Sequence, residues 1–216
     1  QADYTVSPSH PRILVNKAML PELARRARAG GVLGGDYAAM KNEADRMVAG
    51  ETARELYNIW RRPMDMLGTC LVYLVERELG NDSAHVYARA VKRIWEKESK
   101  TGPGSLLSNT EAGHFGVFAM CFDWIYDYLT PEERKTYGDQ LGTWLRFYTY
   151  GVEGNNYVGI TLLCGDWLYN QTWGPEHLNT PNCRDGITPK LFVALALSGA
   201  GTIHEADCKS FLDDWY

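Results

Sequence analysis

The stretch Gly113–Arg134, GHFGVFAMCFDWIYDYLTPEER, decides the fold class of this 216-residue chain. Its first half is apolar, aromatic and free of proline, and it predicts a helix over about 111–129. TPEER then opens another. Thr130 offers a capping hydroxyl, Pro131 carries the fixed φ that suits a first helical position, and Glu133 completes a capping box. Helices joined by so short a stop fold back on each other, so the unit to seek elsewhere is a helical hairpin.

Upstream the pattern repeats. After Pro63, a helix over 64–79 runs through Leu67, Leu71, Leu74 and Val75; Gly80 ends it, and Asn81 or Asp82 starts the next. That next helix has an i, i+3, i+4, i+7 stripe of Ala84, Tyr87, Ala88, Val91, Ile94 and Trp95. Near the N-terminus, Asn16 can cap a helix carrying Leu20, Leu23, Ala24 and Ala27. Gly30, Gly31, Gly34 and Gly35 form a break before a helix over 36–48 and a shorter one over 51–60. Residues 1–15, with Pro8 and Pro11, read as extended.

Downstream, 131–149 is helical with Tyr137, Leu141, Trp144, Leu145 and Tyr148 on one side. Residues 157–170 are predicted helical and 171–188 irregular. Pro189 opens a last apolar helix through Leu191, Phe192, Leu195 and Ala196, and 204–216 makes a terminal one. Long alternating runs are absent. The expectation is all-α: nine or ten helices in stacked hairpins, a single helical domain over 16–216 behind an extended segment 1–15, with no linker between.

Composition excludes some functions. The hydrophobic fraction of 45%, the charged fraction of 23% and the net charge of −5 are ordinary for a globular chain and argue against a nucleic-acid partner, which needs a concentrated basic surface. Arg25, Arg26 and Arg28, and Lys92, Arg93 and Lys97, alternate with apolar helical positions and read as solvated faces. No run of 18 apolar residues occurs. Five cysteines are too scattered for a disulfide scaffold or a metal site. Cys70, Cys121 and Cys164 fall in apolar helical segments, and Cys183 and Cys208 are the pair to consider in an oxidising compartment. A start at Gln1 fits a secreted or periplasmic protein that has lost its leader, and fits a trimmed chain equally. The 7 Trp and 13 Tyr serve either a helical core or a ring-lined groove for sugars.

Several stretches taken in order carry a family resemblance. HPRILVNKAMLPELARRARAG from His10, YLVERELGNDSAHVYARAVKRIW over Tyr73–Trp95, AMCFDWIYDYLTPEER over Ala119–Arg134 and GNNYVG over Gly154–Gly159 are similar to the heparinase II/III-like and alginate-lyase-like polysaccharide lyases. The similarity covers residues 10 to about 170 and fades beyond Trp173. It implies an N-terminal (α/α) toroid, incomplete at this length, and a C-terminal β-sandwich for which this chain has no candidate. The chain is therefore expected to be either a piece of a longer protein or a shortened relative.

The resemblance also implies β-elimination in an acidic polysaccharide, and no motif in the chain suggests a metal or other cofactor. Such a reaction needs a uronate carboxylate neutralised, a base for the proton α to it, and an acid for the 4-linked oxygen. Asn155 and Asn156 suit the first task, because an amide donates to a carboxylate without adding charge; their plainer role is to cap the following helix. Tyr157 is a proton carrier or a stacking ring. The family pattern often has His at that position, which leaves the base open. His177, in the loop GPEHLNTPNCRD with Asn179, and His114, near the start of the aromatic helix, are the other candidates for proton transfer. Trp124, Trp167 and Trp173 are candidates to line the groove, with Asn179 and Arg184 contacting sugar, although Trp124 and Tyr128 share a face that packing also demands. Rivals stand beside the lyase, among them a helical structural protein that would need only the packed hairpins. A toroidal glycoside hydrolase would draw its two carboxylates from Asp123, Asp127, Glu153 and Asp166, and a non-catalytic glycan-binding module would need neither.

Overall fold

A computed structural model describes residues 4–50, 61–98, 109–150 and 190–215. Among these the chain is all-α, with eight α-helices and no strand. They are α1 (Leu20–Arg28), α2 (Val32–Val48), α3 (Arg61–Glu78), α4 (His85–Glu98), α5 (Asn109–Ile125), α6 (Pro131–Tyr150), α7 (190–197) and α8 (Glu205–Trp215). None is long and apolar enough to cross a membrane. The expected helices over 51–60 and 157–170 lie outside the described residues.

Contacts divide the chain into two units. The first comprises Ser9–Lys100 and Cys121–Thr130, so it takes the last turn of α5 across a long gap in sequence. Asn16 caps a short 3-10 turn, Lys17–Met19, by accepting from the Ala18 N–H at 3.0 Å, and that turn runs into α1. The α2 helix begins earlier than the glycine pattern suggests, with Gly31 as its cap at φ 88°. Gly34 sits so close to the Ala29 carbonyl that a Cβ there would come within 1.8 Å of its oxygen. These glycines therefore let two helices meet instead of loosening the join. α3 ends where Gly80 takes φ 76°, a conformation that lacks a Cβ penalty only in glycine. Asn81 then accepts from the Ser83 N–H at 2.9 Å and opens the turn into α4.

α3 packs against α1, α2 and α4. The α4 stripe supplies much of the core: Ala84, Tyr87, Ala88, Val91, Ile94 and Trp95 are all buried, with Trp95 fully so. Met66, Cys70, Tyr73 and Leu74 face them from α3.

The second unit comprises Gln1–Pro8, Thr101–Met120 and Pro131–Tyr216. Along α6, Tyr137, Leu141, Trp144 and Leu145 are buried, and Trp144 meets Phe118 edge-on at 5.4 Å. α6 packs against α8, and Gly142 makes that approach possible, since a Cβ on it would lie 2.4 Å from the His204 ring. An imidazole cannot yield as a flexible chain end does. Gly142→Ala is expected to cost about 1–3 kcal/mol through overpacking, read as a lower thermal midpoint. In α7 the structure turns a different face inward from the expected one. Val193, Ala194, Ala196 and Leu197 are buried, while Leu191, Phe192 and Leu195 are only partly covered. The N-terminal segment is tied to α8 by the Tyr4 hydroxyl, which donates to Asp213 at 3.0 Å.

Cys70, Cys121 and Cys208 are free, buried thiols; Cys164 and Cys183 lie outside the described residues. Burial, with Glu205 and Asp207 nearby, pushes Cys208 from an ordinary 9.0 up to about 12. Burial and the neighbouring Cys121 raise Cys70 as well. Above pH 9 the unfolded thiols lose protons that the native thiols keep, so stability falls as pH rises through that window. Denaturant midpoints measured between pH 8 and 11 should therefore decline, and Cys208→Ala should flatten part of the decline.

Candidate functional site

The described residues that converge most closely lie in the first unit, where the N-terminal segment meets the end of α5. Asp123 is fully buried there. Its Oδ2 accepts the backbone N–H groups of Arg12 at 2.8 Å and Ile13 at 2.9 Å, and its Oδ1 accepts from His10 Nδ1 at 2.6 Å. Arg12 Nη2 donates to His10 Nε2 at 2.9 Å, and Arg12 Nε lies 3.8 Å from the carboxylate. Both ring nitrogens of His10 are thus used within the cluster, which fixes the proton on Nδ1. The His10 ring also stacks on Tyr126 at 3.7 Å and meets Phe122 edge-on at 6.4 Å. One residue further, Trp124 Nε1 donates to the Ile13 carbonyl at 2.9 Å. The peptide bond between His10 and Pro11 is cis.

A buried carboxylate is tolerated only when it is paired and hydrogen-bonded, and Asp123 meets that demand with three N–H donors and a guanidinium. The arrangement is a clasp: one side chain of α5 grips the extended segment at His10, Arg12 and Ile13, through two backbone N–H groups and two side chains.

The clasp forms the floor of a recess of about 220 Å³, lined by His10, Pro11, Asp123 and Trp124 and walled by Lys17, Leu20, Leu74, Arg77, Glu78 and Asp127. Two cations share one carboxylate on its rim. Lys17 Nζ lies 3.6 Å and Arg77 Nη1 3.4 Å from Asp127 Oδ2, and Arg77 also donates to the Tyr73 hydroxyl at 3.3 Å. A second recess of about 320 Å³ is lined by Pro21, Ala24, Arg25, Arg28, Glu78 and Leu79, so Glu78 is a wall of both. Among the described residues no group of three or more His, Cys, Asp or Glu converges as a metal site.

Most of the residues expected to carry chemistry, Asn155, Asn156, Tyr157, Trp167, Trp173, His177, Asn179 and Arg184, lie outside the described residues, as do Glu153 and Asp166. His114 falls on α5, with its side chain outside the described part. Trp124 is 6% exposed; it packs in the core, holds Ile13, and shows an edge to the recess. Asp123 and Asp127, one helical turn apart in sequence, differ in setting: the first is sealed in the clasp, and the second is 35% exposed under two cations. On sequence grounds His10 ranks below His177 and His114 as a proton carrier, and Lys17 and Arg77 have no role. His10 and Asp123 both stand inside the quoted motifs, and that was the available signal.

Comparison with protein-family models, with curated proteins and with solved structures finds no match.

Proposed function

We propose that this chain is the N-terminal, incomplete (α/α)-toroid part of a secreted or periplasmic polysaccharide lyase, which cleaves uronate-containing glycans by β-elimination and continues into a β-sandwich domain. One observation supports the reading above the others. The segment from His10 to Ile13 and the pair Asp123–Trp124 were two separate carriers of the resemblance, 110 residues apart, and they are bonded to each other through a buried carboxylate and an indole. Chance likenesses at two places have no reason to be physical partners. Pieces of one inherited architecture do.

In this reading Asn155 and Asn156 donate to the uronate carboxylate and stabilise the enolate-like intermediate. Tyr157 or His177 takes the proton α to it, and the bond to the 4-linked oxygen breaks as a proton reaches that oxygen. The products are one fragment with a new reducing end, which keeps the protonated oxygen, and one with an unsaturated uronate at its non-reducing end. The hydrolase alternative is less well supported, because it draws on Asp123, whose lone pairs are committed to the clasp. The binding-module alternative gains from the charged recess beside the clasp.

The test is ultraviolet absorbance of unsaturated uronate ends, with alginate, heparan sulfate, hyaluronan and pectate as substrates. This chain and its uninterrupted gene product are assayed side by side. Absorbance growth with either supports the lyase. New reducing ends without absorbance move the hydrolase ahead, and no cleavage by either protein removes the enzymatic reading.

A further inference from the structure

We propose that the two recesses joined at Glu78 form a non-catalytic groove that binds an extended acidic oligosaccharide along α1. With Asp123 set aside beside its own Arg12, the walls carry Lys17, Arg25, Arg28 and Arg77 against Glu78 and Asp127. That is a local excess of positive charge on a chain of net charge −5. The cations are also incompletely matched. Lys17 and Arg77 share Asp127, and Arg25 shares Glu22 with Arg26, which together hold the Glu22 carboxyl down to about 2. Arg28 donates to the Leu79 carbonyl at 3.2 Å, and no carboxylate among the described residues pairs with it. An anionic ligand therefore meets positive charge in both recesses.

The chemistry between those charges selects the kind of anion. Glu78 stands on the wall common to both recesses, and Asp127 stands on the rim of one. Densely spaced phosphates would meet these carboxylates and be repelled, which disfavours nucleic acid. A chain whose charges are separated by hydroxyl-bearing rings fits better: its carboxylates reach the lysine and arginines, and its hydroxyls donate to Glu78 and Asp127. Leu20 in one recess is partly open to solvent and Pro21 in the other is exposed, and both give apolar surface for sugar C–H faces. A ligand filling both recesses passes Glu78, so it is an oligomer and not a single ring. The choice of a glycan among spaced polyanions rests on the lyase reading; the charge of the groove does not.

The test is a calorimetric titration of the full chain with hexagalacturonate, with maltohexaose as a neutral sugar and hexa-aspartate as an acidic non-sugar. Lys17 and Arg28 are exposed, so Lys17→Gln with Arg28→Gln is expected to leave the melting temperature unchanged and to weaken hexagalacturonate binding about tenfold. Maltohexaose should bind at least about tenfold more weakly than the uronate. The proposal is overturned if hexagalacturonate does not bind, if the double variant binds it as well as the wild type, or if hexa-aspartate matches it. The same samples are read for unsaturated ends. Binding lost in the variant, with no elimination by this chain or by its uninterrupted gene product on any of the four polysaccharides, keeps the groove and removes the lyase, whereas elimination with binding intact in the variant does the reverse.

Discussion

Asp123→Ala should cost about 3–5 kcal/mol of folding stability, the loss typical of removing one partner from a buried charge pair. The side chain has no solvent to fall back on, and its removal strands three donors together, His10 Nδ1–H and the Arg12 and Ile13 backbone N–H groups, and takes the carboxylate from beside the Arg12 guanidinium. Each donor left unsatisfied is costly in itself. For a chain of this length the thermal midpoint should fall by roughly 10 °C, taking about 2–4 °C per kcal/mol. Asp123→Asn keeps one acceptor oxygen but turns an amide donor toward N–H groups, so its loss should be intermediate. Chemical denaturation of the two variants checks the order. A loss below about 1 kcal/mol for the alanine variant would show that the clasp is ornamental.

The second large effect concerns chemistry. If the lyase reading holds, Asn156→Ala should lower kcat for unsaturated-end formation by about 10²–10³, the range seen when one donor to a developing oxyanion is removed. The fall should appear mainly in kcat and not in KM, because the charge on the uronate becomes greatest in the transition state. Asn155→Ala is the companion variant. One amide suffices to cap the helix that the sequence predicts over 157–170, so the residue whose loss lowers stability is the cap, and the residue whose loss lowers turnover alone is the donor. An unchanged rate for both would end the assignment of these amides to the carboxylate.

How far the sequence could be read depended on whether neighbours in the chain or neighbours in space held the information. The stripe on α4 was legible because its polar and apolar positions segregate at the helical period, and all six apolar positions are buried. In α7 the run LFVALAL after Lys190 is apolar all round, so periodicity cannot choose a face; the buried side carries Ala194 and Ala196, small enough for close approach. Gly34 and Gly35 read as a break, yet they lie inside α2, where a close contact with Ala29 outweighs a propensity penalty of about 1 kcal/mol per glycine. The charged groove was out of reach for a further reason. Arg25 and Arg28 look like a solvated face on α1, and they are exposed, but only the fold brings Arg77 and Asp127 of other elements to the same place. Asp123 was noticed for its acidity and considered for hydrolysis; its grip on His10 spans 113 residues and leaves no local trace.

That span bears on how the protein is made. The first unit needs Cys121–Thr130 as well as Ser9–Lys100, so its N-terminal strap leaves the ribosome long before the carboxylate that receives it has been synthesised. Until then, His10 and Arg12 have no buried anion to hold them, and the faces of α3 and α4 that await the end of α5 stay open to water and to chaperones. A nascent chain arrested before residue 121 should remain protease-sensitive throughout this unit, and release of about another 40 residues, enough to clear the exit tunnel, should convert it to a resistant form in one step.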